Sequence, residues 1–220
     1  MGRPTSPLLS RARIVDEALA LVDAEGLDGL SIRKLATRLG VRGPSLYNHF
    51  ATKDEILDAV ADAVTAQVDT SMFGRDEWRP ALRSWARSYR SALAAHPNIV
   101  PYLARGPGRR PAALALADAV YGGLVDAGWP PGRATRIGAL MRYFVAGSAL
   151  GSFARGFVDD AGLYADRYPH LSRAHLIADH QASIDDGAFE LGLAALIDGL
   201  VTEYGKVVGP LSVEETHAAH

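Results

Sequence analysis

Cysteine is absent from the 220 residues, which excludes a disulfide framework, a thiol nucleophile and a Cys-based zinc site. No apolar run reaches the roughly 18 residues that a membrane-spanning helix needs, and Met1–Ser10 lacks the hydrophobic segment of a secretory signal. Neither a Gly-x-Ser-x-Gly elbow nor a phosphate-binding glycine loop occurs, so no motif gathers the Ser, His and Asp residues into a catalytic group. Strand-type alternation is scarce, and no internal repeat is found. These absences predict a cytoplasmic protein with no membrane partner, no cofactor, no metal site and no catalytic residues. What is present is an ordinary globular composition, 48% hydrophobic with a formal net charge of -2, in a chain long enough to bury a sizeable core.

The charge is unevenly placed. Met1 to Lys53 carries eight Lys/Arg against five acids, a net +3, which leaves a net -5 for the remainder. A basic head on an acidic body suits a polyanion-binding head, although +3 alone is a weak sign.

Apolar residues recur at helical spacing through most of the chain. Arg11 to Glu25 carries Ile14, Val15, Ala18, Leu19 and Val22 on one face and stops at Gly26. Further helices are expected over Trp78–Ala95, Pro111–Ala127, Gly132–Ala154 and Ala188–Tyr204, with a weak one from His175 toward Asp179. Gly156–Leu171, rich in Asp, Gly and Tyr, reads as a long connection. The ends, up to Leu9 and from Gly209 onward, read as frayed, with Arg3 placed to act as an arm on a duplex.

The densest information lies between Leu30 and Leu57. Ser31 precedes the run Ile32, Leu35, Ala36, Leu39 and is suited to cap a helix that Gly40 ends. Gly43 and Pro44 read as N-cap and first position of a second short helix. Within it Leu46 and Phe50 lie four apart as inward anchors, leaving Ser45, Tyr47, Asn48 and His49 largely outward. Thr52 and Glu55 form a capping box, with Lys53 at the start of the next helix, where a phosphate is welcome. Two short helices around a glycine turn make a helix-turn-helix DNA reader.

The combination of Leu35-Ala36, Gly40-Val41, the Leu46-Tyr47-x-His49-Phe50 helix and Lys53-Asp54-Glu55-Ile56-Leu57 resembles the tetracycline-repressor (TetR) family of bacterial transcription regulators. The resemblance implies an all-α protein: a helix-turn-helix domain over residues 1–51, a helical ligand-binding and dimerisation domain over 52–208, and a tail over 209–220. It implies a ligand-responsive regulator, a repressor in the first instance, bound as a homodimer to a palindromic double-stranded operator and released by a small-molecule effector. A constitutive DNA-binding protein with a structural body, an activator, and a small-molecule-converting enzyme are the other readings.

In this reading Arg33, Gly43, Ser45 and Asn48 approach base edges, Tyr47, His49 and Lys53 hold the backbone, and Pro44 meets a thymine methyl or sugar edge; Arg42 completes the DNA-binding set. The body is looser in its likeness, around Trp78, Ala95-His96, Gly128-Trp129, Tyr143-Phe144 and Phe189–Leu193. Taking Pro107 as anchor, Tyr102 stands where tetracycline-binding members carry a metal-chelating His, so magnesium-tetracycline is not expected as effector. Trp85, Tyr89, Tyr102, Val120, Tyr143 and Phe144 are the candidate pocket residues, and core packing is the competing reading of each. Arg105 and Arg142 offer charge for an anionic ligand or sit as solvated surface arginines.

Ala188, Gly192, Ala195 and Gly199 form a stripe of small residues beside Phe189, Leu193, Leu196 and Leu200, and Gly147 and Gly151 repeat the feature earlier. Since each helix-interior Gly costs about 1 kcal/mol relative to Ala, close helix packing, within or between subunits, is the expected reason. His170, His175 and His180 recur every five residues, a spacing that scatters side chains around a helix axis.

Overall fold

The computed structural model describes residues 9–151, 156–165 and 167–208. The Arg3 arm, the tail from Gly209 and part of the Gly156–Leu171 connection lie outside them. Among the described residues all regular structure is helical: α1 (Arg11–Gly29), α2 (Ile32–Leu39), α3 (Gly43–Tyr47), α4 (Lys53–Thr65), α5 (Trp78–Ala95), α6 (Val100–Leu103), α7 (Pro111–Asp126), α8 (Pro131–Ala149), α9 (Ala161–Ala165) and α10 (Gln181–Val208), with short 3-10 turns between.

Two compact units divide these helices. The first takes residues up to Asp69 together with Ser91–Ala117, and the second takes Thr70–Arg90 and Asp118 onward. The first unit is therefore larger than a head bounded at residue 51, because α4 packs on α1 and the segment after α5 packs on both.

In the first unit the capping chemistry sets the helix ends. Ser10 accepts from Arg13 N–H at 3.2 Å and Ser31 from Lys34 N–H at 3.3 Å. Gly26 sits inside α1 with φ 75° and ψ 178°, so the regular helix ends there and one further turn carries the chain to Gly29. Gly40, at φ 69° and ψ 29°, closes α2 in the left-handed region that a side chain disfavours. Ile14, Ala18, Leu21, Leu35, Leu39, Leu46, Phe50, Ile56 and Val60 make the core of this unit.

The second unit packs α5, α7, α8 and α10. Trp78, Trp129 and Tyr204 meet with ring centres 5.0–5.4 Å apart, and Tyr204 donates to the Ala127 carbonyl at 2.5 Å. Along α5, Arg83, Arg87 and Arg90 pair with Asp198, Glu190 and Asp186 of the antiparallel α10. The Arg87 guanidinium is bidentate on Glu190 at 2.7 and 2.8 Å and holds that carboxyl below its ordinary value. These pairs are solvated, so they fix helix register more than they add stability.

Helix lengths depart from sequence periodicity at several ends. α10 begins at Gln181 and not at Ala188, and α8 ends at Ala149, leaving Gly151 beyond it. The weak helix at His175–Asp179 is replaced by 3-10 turns over Ala174–Leu176 and Ala178–His180. α6 and α9 are four- and five-residue helices, too short to leave a periodic trace.

The glycines of α7 separate two effects. A Cβ at Gly123 would stand 2.6 Å from Phe73 Cδ1 and 3.0 Å from its Cβ, whereas one at Gly122 meets nothing within 4 Å. Gly122→Ala is expected to stabilise the protein by up to about 1 kcal/mol through helix propensity. Gly123→Ala is expected to destabilise it, because an overpacking penalty of about 1–3 kcal/mol exceeds that gain. Urea unfolding of the two neighbours should move in opposite directions.

Candidate nucleic-acid interface and effector site

The reading helix α3 has only five residues, and its anchoring is apolar. Leu46 is 0% and Phe50 2% exposed, while Tyr47 is 54% exposed and Asn48 and Pro44 also face solvent. Its first backbone bond runs from Ser45 N–H to the Arg42 carbonyl at 2.9 Å, so Arg42, with extended backbone, is the N-cap and Gly43 is already helical. That moves the start one residue ahead of the sequence expectation. Ser45 and His49 are half-buried at the edges of the outward face.

Arg11, which the sequence did not single out, holds this helix from below. Its guanidinium lies 3.9 Å over the Phe50 ring and donates to the His49 carbonyl. An arginine opening a first helix carries no periodic signal that would mark it.

The basic residues of the head sort into two groups. Lys34 pairs with Glu25 and Arg38 with Glu17, so their charge is spent within the head. Arg33 and Arg42 are exposed, and neither side chain forms an ion pair among the described residues. Lys53 is half-buried and donates to the Leu27 carbonyl at 3.4 Å, a long bond that leaves ammonium protons available. Thr52 accepts from Glu55 N–H at 3.1 Å, and Glu55 reaches back to Ala51 N–H at 2.7 Å, one residue earlier than a standard capping box.

Of the six candidate pocket residues, Tyr102 belongs to the first unit and the other five to the second. Trp85 and Tyr89 are buried on α5 with ring centres 5.7 Å apart; Val120 is buried on α7; Phe144 stacks on Phe189 at 5.3 Å. Tyr143 is 73% exposed and so faces away from the interior of its unit, a correction to its assignment as a lining residue. Its position on α8, one residue before the inward Phe144, explains this. Tyr102 belongs to the first unit. Its hydroxyl donates to Asp58 at 3.1 Å, and burial, then the Asp58 bond, raises the phenol above its ordinary value, so it stays a donor at neutral pH.

Trp85 Nε1 is buried and finds no acceptor among the described residues. A stranded indole N–H costs on the order of 1–3 kcal/mol, which is the mark of a place that an outside oxygen can improve. An open groove of about 620 Å³ lies elsewhere in the second unit, lined by residues that include Trp78, Gly123, Asp126 and Tyr204, and contains none of the six. Arg105 lies 4.8 Å over the Tyr102 ring. His170, His175 and His180 fall in three separate 3-10 turns.

Hydrogen bonds within the first unit join the segment after α5 to α1 and α4. His96 Nδ1 lies 2.8 Å from Asp23 Oδ2, and Asn98 donates to the carbonyls of Val22 and Asp23 at 3.1 and 2.9 Å. Tyr102 donates to Asp58 of α4. Asp62, one turn further along α4, accepts from the N–H groups of Ala112 and Ala113 at the start of α7, at 2.9 and 3.2 Å. Asp23, Asp58, Asp62 and Asn98 do not stand out in the sequence, and Tyr102 was read there as a pocket residue and not as a partner of α4.

Comparison with known proteins agrees with both halves of the architecture. Residues 14–60 match the family described as "Bacterial regulatory proteins, tetR family", and residues 72–204 match "Tetracyclin repressor-like, C-terminal domain". The chain is 39% identical over 198 residues to the tetracycline repressor protein class A from transposon 1721 of Escherichia coli, covering 85% of this chain and 88% of that one. The Streptomyces coelicolor TetR family protein ActR, solved in complex with actinorhodin, superposes with a TM-score of 0.71 at 31% identity, over 90% of this chain and 99% of the other. A TetR variant from Acinetobacter baumannii AYE, solved with minocycline, gives 0.66 at 28% identity, over 92% and 100%. No helix among the described residues is long and apolar enough to cross a membrane. The chain belongs to the TetR family of bacterial regulatory proteins, as a DNA-binding transcriptional repressor with a ligand-binding C-terminal domain and not as an enzyme.

Proposed function

We propose that this repressor binds a palindromic operator as a homodimer in the cytoplasm, where the chromosome lies, and leaves it when a flat, fused-ring effector enters the C-terminal domain without a metal. The observation that carries the DNA half is the outward face of α3: Tyr47, Asn48 and Pro44 exposed over a fully buried Leu46, with exposed Arg33 and Arg42 in the same head forming no ion pair among the described residues. Arg33, Gly43, Ser45 and Asn48 read base edges. Arg42, Tyr47, His49 and Lys53 hold phosphates, and Pro44 packs on a methyl or sugar edge.

Dimerisation is supported by an apolar face without a partner. On α8, Leu140 and Tyr143 are exposed along one stripe that continues through Gly147 to Leu150. On α10, Ala188, Leu191, Ala195 and Gly199 line another, with Leu191 73% exposed and Gly199 open to a Cβ on every side. Phe144 and Gly192, in contact between the two stripes, hold the helices side by side: a Cβ at Gly192 would stand 2.7 Å from the Phe144 ring. The small-residue stripe thus divides, with Gly192 explained within the protomer and Ala188, Ala195 and Gly199 left to face a second copy.

For the effector, the stranded Trp85 N–H beside Tyr89 asks for a flat molecule carrying an oxygen acceptor. Actinorhodin and minocycline, found with two structural relatives, are fused-ring molecules with such oxygens. Trp85, Tyr89, Val120 and Phe144 are kept as lining residues. Tyr102 is reassigned to the joint with α4, and with a phenol where a chelating His stands in relatives, metal-bridged binding loses a ligand. Effector and operator then oppose each other by linkage.

Three outcomes test this. Arg33→Ala should weaken the selected operator by about 1–3 kcal/mol while leaving random duplex untouched, whereas Lys53→Ala should weaken all duplexes alike and reduce the salt slope by about 1. Gel-shift titration across salt concentrations separates the two. Tyr143→Asp with Leu191→Asp should sediment as a folded monomer and lose roughly 100-fold in operator affinity, because the half-sites then act independently. Fused-ring quinones should quench tryptophan fluorescence equally with and without EDTA, and magnesium-tetracycline should leave the operator complex intact. Metal-dependent release would overturn the effector proposal.

A further inference from the structure

Helix starts favour acids, because the free N–H groups of the first turn carry the positive end of the helix dipole. α1 opens the other way. Behind its Ser10 cap it has no acid in the first turn and carries Arg11 and Arg13 there. An arginine set against the dipole needs a favourable contact elsewhere, and Arg11 finds it 38 residues on, just past the C-terminal end of the reading helix.

That end of α3 has little of its own to hold it. The helix carries no base in its last turn, and Arg42 caps the start through backbone alone. The Leu46 carbonyl takes the N–H groups of both His49 and Phe50, at 2.9 and 3.0 Å, so the chain leaves α3 in one tightened turn with the His49 carbonyl beyond it. The Arg11 guanidinium donates to that carbonyl and lies 3.9 Å over the ring of the buried Phe50. One planar group thus fixes two consecutive residues, the first by its backbone and the second by its ring. Its charge also stands at the end where the dipole of α3 is negative. Exposed Asn48 lies in the turn that is held this way.

We propose that Arg11 is a positioning residue for base discrimination: it fixes the turn after α3, and with it the reach of Asn48, without supplying a DNA contact of its own. The proposal rests on the reading of Asn48 as a base-contacting residue given above. A side chain that reads a base edge must be held to within about 0.5 Å, because its hydrogen bonds are directional. Phosphate contacts from long, flexible cations tolerate more. Loosening the turn therefore costs the cognate duplex its base contacts and spares the contacts that every duplex offers.

The test uses the full-length protein and a duplex that the wild type selects from a random pool. Kd is measured on that duplex and on a random one across salt concentrations, with the active fraction fixed by stoichiometric titration, for Arg11→Met, Arg11→Lys and Asn48→Ala. Arg11→Met keeps the apolar stem and removes both contacts. It should lower the ratio of the two affinities by about tenfold, the scale of a charge-assisted hydrogen bond, and leave the salt slope on random duplex unchanged. Arg11→Lys keeps the charge, and any phosphate contact with it, but gives up the planar fork; it should lose roughly threefold in the same ratio. An Arg11→Met ratio within about twofold of the wild type's overturns the proposal, whether all duplexes bind more weakly with a salt slope smaller by about 1, as for a phosphate contact, or only the active fraction falls, as for a structural role. A wild-type ratio in Arg11→Lys overturns it too, since charge alone then suffices. Asn48→Ala separates the two possible failures. If it lowers the ratio while the Arg11 variants do not, only the role of Arg11 falls; if it leaves the ratio alone, base reading by Asn48 falls and the proposal falls with it.

Discussion

A five-residue helix has almost no stability of its own, because nucleating it fixes several backbone dihedrals for one hydrogen bond. α3 exists only because Leu46 and Phe50 are taken out of water on one side and Arg11 stacks on Phe50 and bonds the His49 carbonyl on the other. Burial of those two side chains is worth several kcal/mol, far more than any exposed contact in the head. The polar outward face is thus a by-product of apolar anchoring: with every fourth residue fixed inward, Tyr47 and Asn48 have nowhere to go but out. DNA recognition depends on that constraint before it depends on any donor or acceptor.

The charge of the head follows the same division between holding and reading. Lys34 and Arg38 are neutralised by Glu25 and Glu17 of α1, so the basic surplus counted along the sequence overstates what a duplex meets. Arg33 shares α2 with both yet pairs with no acid among the described residues. The positive charge left without an acidic partner among the described residues is therefore narrower than the count along the sequence.

Much of the head was legible because its signals are local. Ser31, Gly40 and Thr52 each act within four residues, and the structure has them capping or closing helices as their chemistry requires. Leu46 and Phe50 were legible from spacing alone. The boundary of α3 was off by one because Arg42 caps through its extended backbone, with no side-chain bond to advertise it. In the body, periodicity recovered α5 and most of α7, but it could not tell which aromatic of an adjacent pair turns inward: Phe144 stacks on Phe189 while Tyr143 is exposed. That choice is made by α10, through the space left at Gly192, and no local rule contains it. Asp58, Asp62 and Asn98, and the partner of Tyr102, were illegible for a stronger reason. Their partners lie 44 to 76 residues away, and a polar residue bonded at that range looks like any solvated one.

That illegibility has a physical counterpart in how the pieces are joined. Within the core of each unit, contacts are mostly apolar and collectively large. Between α1 or α4 and the 96–113 segment, buried Ile99, Val100 and Leu103 supply the apolar contact, and the hydrogen bonds, each worth on the order of 1 kcal/mol net, set its geometry. Apolar burial is non-directional and would tolerate a range of placements of this segment on α1 and α4; hydrogen bonds select one. They also make the cheaper joint to undo, because water replaces a lost partner at the surface, whereas opening an apolar seam exposes its whole area.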